Sequence, residues 1–438
     1  MRIGNTTIWL TGCALAFGIS VALAGYVGLS RSMEIMTTPA PAALVSSAVP
    51  LPPPVHDPRK PTVAVLLGNT FSEPTDVLGP YAMFAESGKY NVYTVAASKT
   101  VRTLTGGLDL VPHLSFEDLA ARLHGDPDIV VVPQIVDTRA SINAPVVAWV
   151  RRQGRAHALL FSWCTGAEVL AESGAIDARA ATAHWGDIDR LQRIYPRVHW
   201  QRGVRYVDGG TLLSTAGLTA GVDATLHLLA GRHGEELATK VAEALHLPPS
   251  PFVENPKCPQ FEIGPADSIF LLNAAFRWPK PRMNVWLYDG VGELDLGSIA
   301  DVYGVSAGYR IHTLSAAASV VSRHGIQFVP REQAPSASRP NVLPSATERP
   351  EFAYIAAVED LARRQDAWIA TFAAKRLEIR TPLQFDGGSW PIRAVLAPLL
   401  IGSAAVACLL CLKRAMQAQR RGLELAVPPV ALGAVARP

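Results

Sequence analysis

The sequence predicts an α/β protein: a parallel sheet flanked by helices, a degenerate second copy of that unit, and a transmembrane helix near each end. Three observations predict it. From Thr62 onward, short β-branched runs alternate with helical stretches; the chain resembles itself faintly at an offset of 219 residues; and two uncharged apolar runs have membrane-spanning length.

The sheet comes first. TVAVLLG, NVYTVAA, DIVVVP and HALLFSW are near-continuous apolar runs, separated by helical stretches such as DVLGPYAMFAES and the one around Ala144–Arg152. Strands apolar on both faces belong in a sheet covered by helices on both sides, and such sheets are parallel. Ligands bind beyond the carboxyl ends of their strands, so the loop after HALLFSW is the place to look for chemistry.

The repeat appears when residues 62–112 are laid over 283–330. Asp76 then meets Asp295, Ser87 meets Ser306, Tyr90 meets Tyr309, Thr94 meets Thr313, Val101 meets Val320 and Gly106 meets Gly325. A one-residue shift on either side also pairs Val65 with Val285, and Val111-Pro112 with Val329-Pro330. The shared order of strand, acidic residue, helix, strand, glycine turn and Val-Pro marks 283–381 as a degenerate copy. It holds no cysteine, so it cannot repeat chemistry that depends on one.

The apolar run Ile8 to Leu29 is 22 residues long and uncharged, enough to cross a hydrocarbon core at ~1.5 Å rise per residue. Ala22-Leu23-Ala24 offers the alternative of a cleaved signal peptide. The second run, Ala394 to Leu412, is followed by Lys413, Arg414, Arg420 and Arg421, a cluster that marks a cytoplasmic side. Both termini are then expected in the cytoplasm of an inner (plasma) membrane, with the main domain extracytoplasmic. The expected organisation is an anchor or signal over 1–30, a Pro-rich linker over 31–61, a first α/β domain over 62–235 and a connecting segment over 236–282. The degenerate repeat over 283–381, a transmembrane helix over 391–412 and a cytoplasmic tail over 413–438 complete it.

A net charge of +3 on 40 basic and 37 acidic residues gives no electrostatic case for nucleic acid as a partner. With 49% hydrophobic and 18% charged residues, the lipid bilayer is the expected macroscopic partner. Five cysteines, three of them in the apolar runs, form neither a disulfide framework nor a metal site, and no metal or cofactor is expected.

Cys164 stands where HALLFSW ends and TGAEVLAES begins, at a strand-to-helix turn. Such an elbow holds a side chain strained and exposed above the sheet. The following helix points its amino terminus at the sulfur and favours the thiolate, and the N–H groups of Thr165 and Gly166 are placed to receive developing negative charge. From position alone, a small core residue is the other reading. Cys258, in NPKCPQ, has no comparable donors, so Cys164 is expected to have the lower pKa.

FSWCTGAEVLAESGAIDARAATAHW, RYVDGGTLLSTAGLTAGVDATLHLLA and DVLGPYAMF together resemble the DJ-1/PfpI (class I glutamine-amidotransferase-like) family. Within it they resemble the N-terminal domain of GlxA-like AraC-family regulators and the isonitrile hydratases. The resemblance covers about residues 62–262 and implies a flavodoxin-like sheet. By position it makes Cys164 the nucleophile and Asp76 the acid that approaches it. Thr165 matches the threonine after the cysteine in isonitrile hydratases, and His184 a histidine near the site. A protonated carboxyl beside sulfur can donate a hydrogen bond and shuttle a proton, while an Asp76 that merely caps its helix is the bland alternative.

Three departures bear on activity. Thr165 replaces the histidine of protease-like members, which argues against peptidase chemistry. Pro133-Gln134-Ile135 stands where the family has Pro-Gly-Gly, and Trp163 precedes the cysteine, where it would narrow the pocket. No helix-turn-helix follows. The expected functions are a cysteine-dependent hydratase, hydrolase or lyase acting on a small electrophilic molecule, a membrane-tethered ligand or redox sensor, or an inert interaction domain. A homodimer and an intramolecular pseudo-dimer are the two packings the repeat leaves open.

Overall fold

The computed structural model describes residues 3–335, 351–385 and 392–426. Two compact units emerge. One comprises residues 1–31, 271–278 and 391–438; the other comprises 32–270 and 279–390. The expected tail lies, beyond residue 426, outside the described residues.

In the larger unit the apolar runs form the strands of a seven-stranded sheet. Its order is Tyr206–Asp208, Leu212–Thr215, Leu159–Ser162, Ile129–Val132, Thr62–Leu66, Asn91–Ala96, Leu114–Ser115. Every neighbouring pair is parallel except Tyr206–Asp208 with Leu212–Thr215. Alternation along Thr62–Leu66 shows why these strands read as apolar throughout. Val63 and Val65 enter one core with the Pro74–Glu86 and Leu218–His233 helices; Ala64 and Leu66 enter another with the Ala144–Arg155 and Ala167–Ser173 helices. Fully burying side chains of this size contributes about 1.5–3 kcal/mol each, which selects continuous apolar runs over alternation.

The second repeat has the same beginning. Arg282–Trp286 pairs in parallel with Arg310–Ser315, and the helix Glu293–Ile299, extended by wider turns over Ala300–Ser306, connects them. Asp295 lies in the first turn of that helix, as Asp76 lies in the first turn of Pro74–Glu86. One hydrogen bond recurs: the Thr94 hydroxyl accepts from His113 N–H at 3.1 Å, and the Thr313 hydroxyl from Arg331 N–H at 2.9 Å. Both donors follow a Val-Pro pair, so the small polar residue buried in each strand serves to hold the hairpin that comes after it.

The two hairpins then join edge to edge. Gln327–Phe328 pairs antiparallel with Leu108–Val111 in a four-stranded sheet built from both copies. Two histidines seal this seam. His113 places Nε2 2.9 Å from Gly325 O; His324 bridges Glu293 and Glu86 at 2.8 and 2.9 Å.

The stretch expected to be a spacer is strapped to the folded unit instead. Ala40 N–H donates to the Thr103 hydroxyl at 3.0 Å, Leu51 N–H to Gln327 Oε1 at 2.9 Å, and Asp57 N–H to Asn91 Oδ1 at 2.8 Å. Proline fixes φ but leaves the neighbouring amides as donors, and here buried polar side chains take them.

The helical stretches Thr7–Met36 and Ile392–Gln419 are each long and apolar enough to cross a membrane. They run antiparallel: the Lys413 ammonium sits 3.8 Å from the Trp9 ring centroid, Leu409 lies beside Gly12, and Gly402 makes room for Phe17.

Candidate functional site

The turn that carries Cys164 is forced by its neighbours. The interior strand Leu159–Ser162 reaches its carboxyl end, Trp163 N–H bonds to Val132 O at 3.0 Å, and Cys164 then adopts φ = 53°. A non-glycine residue in this region costs about 1–3 kcal/mol unless its surroundings impose it. Cys164 N–H donates to the Thr215 hydroxyl at 3.2 Å, tying the elbow to the next strand. Gly166 lies so close to Val132 that a Cβ there would stand 2.0 Å from its carbonyl oxygen. The strain expected at the elbow is present; the exposure is not, because Cys164 is only 2% exposed.

Gln134 covers the sulfur. Its side-chain oxygen accepts from the thiol at 3.6 Å, and its backbone N–H donates to Asp76 Oδ2 at 2.9 Å. The departure from Pro-Gly-Gly therefore has a structural role: this amide caps the thiol while its backbone orients the acid. Asp76 is completely buried, and its Oδ1 has no hydrogen-bond partner within the described structure. Burial first, and then the charge of Glu73, hold the Asp76 carboxyl well above the usual carboxylate range. A neutral Asp76 places an acidic O–H in the site.

Burial, reinforced by Asp76 and Glu73, also pushes the Cys164 thiol well above its ordinary value. This corrects the expectation of a lowered pKa. The helix behind the sulfur is only Ala167–Ser173, seven residues, and Gly166 N–H is already spent on Trp163 O at 2.8 Å. So short a dipole, with one of its donors engaged, does not offset burial among carboxyls. Cys258 departs from expectation too: the Arg380 guanidinium lies 3.6 Å from its sulfur, and its pKa is raised chiefly by burial.

Thr165 stands beside the cysteine, its hydroxyl 3.8 Å from Cys164 Sγ and donating to Asp187 Oδ2 at 3.0 Å. Asp187 accepts from Arg190 at 3.1 Å, and Arg190 reaches Glu168 at 2.9 and 2.8 Å, so the threonine is braced by an ion-pair chain. His184 is placed otherwise. Its Nδ1 accepts from Gly186 N–H at 3.2 Å, which leaves Nε2–H to donate to Arg376 O at 3.0 Å. Both ring nitrogens are committed to backbone, so His184 acts as a strut and not as a base. Trp163 does not narrow the pocket either; it is fully buried and packs where Gly79 and Gly221 leave room for its ring.

Sequence reasoning missed Glu73 and the residues that hold it. Glu73 lies three residues before Asp76, accepts from the Thr105 hydroxyl at 2.8 Å and pairs closely with Arg376 of the second repeat. Burial opposes its ionisation, but Arg376 and hydrogen bonds from Asp301 and Thr105 outweigh it and hold the pKa at about 2. Asp301 in turn accepts from Thr75 N–H at 3.1 Å, and burial and Glu73 keep it well above the carboxylate range. Among the described residues no cluster of His, Cys, Asp and Glu has the geometry of a metal site.

Residues 61–230 match the model of the DJ-1/PfpI family. The HTH-type transcriptional regulator CdhR of Pseudomonas aeruginosa is 35% identical over 116 residues, 26% of this chain and 34% of the regulator. The isonitrile hydratase of Pseudomonas putida is 29% identical over 177 residues, 40% of this chain and 74% of the hydratase. A THiJ/PfpI family protein from Pseudomonas syringae, of known crystal structure, is 24% identical, with a TM-score of 0.40 over 50% of this chain and 87% of that one. The chain thus spans about a third of the length of the regulator it matches. Residues 61–230, which carry Cys164, Asp76, Thr165 and the sheet beneath them, are a DJ-1/PfpI family domain.

Proposed function

We propose that this chain is a membrane-anchored enzyme in which Cys164 adds to the electrophilic carbon of a small molecule, with an isonitrile as the leading substrate class. The observation that carries this reading is the strained φ of 53° at a cysteine beside a buried, neutral carboxyl. Strain of this kind persists where the surroundings over-determine it, and nucleophile elbows are such places. The match to an isonitrile hydratase over 74% of that enzyme supports the same substrate class.

The proton inventory fits the reaction. As the sulfur forms its bond to the terminal isonitrile carbon, Asp76 gives its proton to that carbon and receives the thiol proton, leaving a thioimidate on Cys164. Water then adds to the thioimidate carbon, the C–S bond breaks with return of a proton to sulfur, and an N-substituted formamide leaves. Thr165, held by Asp187, sits beside the sulfur to orient the incoming group. The site residues are thus Cys164, Asp76 and Thr165, with no cofactor or metal in the scheme. The two apolar helices anchor the chain in the bilayer, with residues 31–390 on the extracytoplasmic side.

A second reading, a tethered sensor without turnover, is favoured by one observation: Gln134 caps a sulfur that is only 2% exposed. The full chain in detergent, supplied with a panel of small isonitriles, distinguishes the two. Formamide production that is lost in Cys164→Ser supports the enzyme; absence of product across the panel, with Cys164 still alkylated by iodoacetamide, supports the sensor.

A further inference from the structure

The cysteine-free second repeat reaches the cysteine site through one residue. Arg376, at the end of the Ala367–Arg376 helix, pairs with Glu73, approaches Asp301 Oδ1 and the Ser306 hydroxyl at 3.5 Å each, and accepts from His184 through its own carbonyl at 3.0 Å. Glu73 N–H bonds to Gln134 O at 3.0 Å; Gln134 in turn holds Asp76 through its backbone and the Cys164 thiol through its side chain. A continuous set of contacts therefore runs from the guanidinium to the sulfur through two residues.

The charge balance is tight. Glu73, Asp76 and Asp301 are each 2% exposed or less, and Arg376 is the cation that faces them. An unbalanced buried charge costs several kcal/mol, so one guanidinium supports one carboxylate. Glu73 makes the close ion pair and takes that charge; Asp76 and Asp301 keep their protons. The other titratable groups facing the cluster are Tyr354, whose hydroxyl is 2.6 Å from Thr75 Oγ1, and Asp187 and His184 on the cysteine side.

We infer that Arg376 is a positioning residue supplied by the second repeat: by neutralising Glu73 it fixes which acids at the cysteine site hold protons, and the Glu73–Arg376 pair keeps Cys164 a thiol until the pair is disturbed. The inference rests on Cys164 being the reactive group of the proposed function. It also gives the degenerate copy a reason to persist without a cysteine, since the site is electrostatically incomplete without it.

The test is the pH dependence of Cys164 alkylation by iodoacetamide in the full chain in detergent, read by peptide mass spectrometry. Glu73→Gln/Asp301→Asn is near-isosteric and removes both carboxyls that contact Arg376, which leaves it as an unbalanced cation near the sulfur. It should move the midpoint to lower pH and speed alkylation at pH 7 by on the order of tenfold, the equivalent of about one pKa unit. Adding Arg376→Met removes the cation as well and should return the midpoint close to that of the unmodified chain; Arg376→Lys alone should leave it there. A midpoint unchanged in Glu73→Gln/Asp301→Asn overturns the inference, and so does an equal shift with and without Arg376→Met, which would signify loosening alone. The readout needs no turnover: a chain that hydrates no isonitrile but shows these shifts contradicts the proposed reaction and not the role of Arg376.

Discussion

Three neighbours surround Cys164: Gln134 over the sulfur, Asp76 beside it and Thr165 next in the chain. Because Asp76 is neutral in this account, Asp76→Asn removes a transferable proton without changing charge. Turnover should fall by about a hundredfold or more, while the alkylation rate of Cys164 against pH stays within a few-fold of the original; an equal loss in both measurements would make Asp76 a structural residue. The elbow at Cys164 and the helix start at Asp76 were legible in the sequence because such motifs are local, while the roles proposed for Asp76 and Thr165 rested on the family resemblance. The protonation state of the sulfur was not, since a strand–cysteine–helix pattern reveals the dipole and hides the depth of burial. His184 shows the same limit: its type was visible, but the carbonyl of Arg376 that claims it lies 192 residues away. Glu73 could have been suspected, standing three residues before Asp76 in Glu-Pro-Thr-Asp, but nothing local identified its partner.

At the level of elements, the site depends on how closely two helices approach the Trp163 side chain. A Cβ on Gly221 would lie 2.3 Å from the indole, and one on Gly79 2.9 Å. Gly221→Ala should therefore destabilise the fold by about 1–3 kcal/mol through overpacking, and the same change should cost less in a Trp163→Leu background. Thermal unfolding of both single variants and the double variant checks this; an equal cost of Gly221→Ala in the two backgrounds would show that the glycine is not there for the indole. The strands of the first sheet were readable because burial on both faces leaves an unbroken apolar run. The strapping of residues 31–61 was not readable, since Pro-rich segments look alike whether their amides meet water or the side chains of Thr103, Gln327 and Asn91.

For the whole molecule, the joint between the two repeats is where pH should be felt. Burial lowers the His113 pKa to about 4, against the hydrogen bond to Gly325 O that would raise it. A histidine depressed in the folded state contributes stability above its unfolded pKa of about 6.5, and that contribution is lost as pH falls through about 4. The total is on the order of 3 kcal/mol, and a His113→Asn chain should show a correspondingly flatter loss of thermal stability between pH 7 and 4; an identical slope would contradict it. His324 acts in the opposite sense: burial lowers its pKa, but Glu293 and Glu86 outweigh burial and raise it, so its contribution is present below about 6.5 and fades as pH rises through the raised value. The antiparallel pairing of Trp9 with Lys413 and of Phe17 with Gly402 accords with termini on one side of a bilayer. A reporter active only in the cytoplasm should accordingly be silent when fused after Pro61 and active after Arg421, and a strong signal from the first fusion would reject that topology. The claim on which the rest depends is that Cys164 forms the covalent bond to substrate. Acid quenching of the full chain during reaction with a small isonitrile, followed by peptide mass spectrometry, tests it most directly. A substrate-mass adduct on Cys164 is expected in the unmodified chain; a chain that releases formamide with no adduct on Cys164, or with the adduct on Cys258, would contradict that claim.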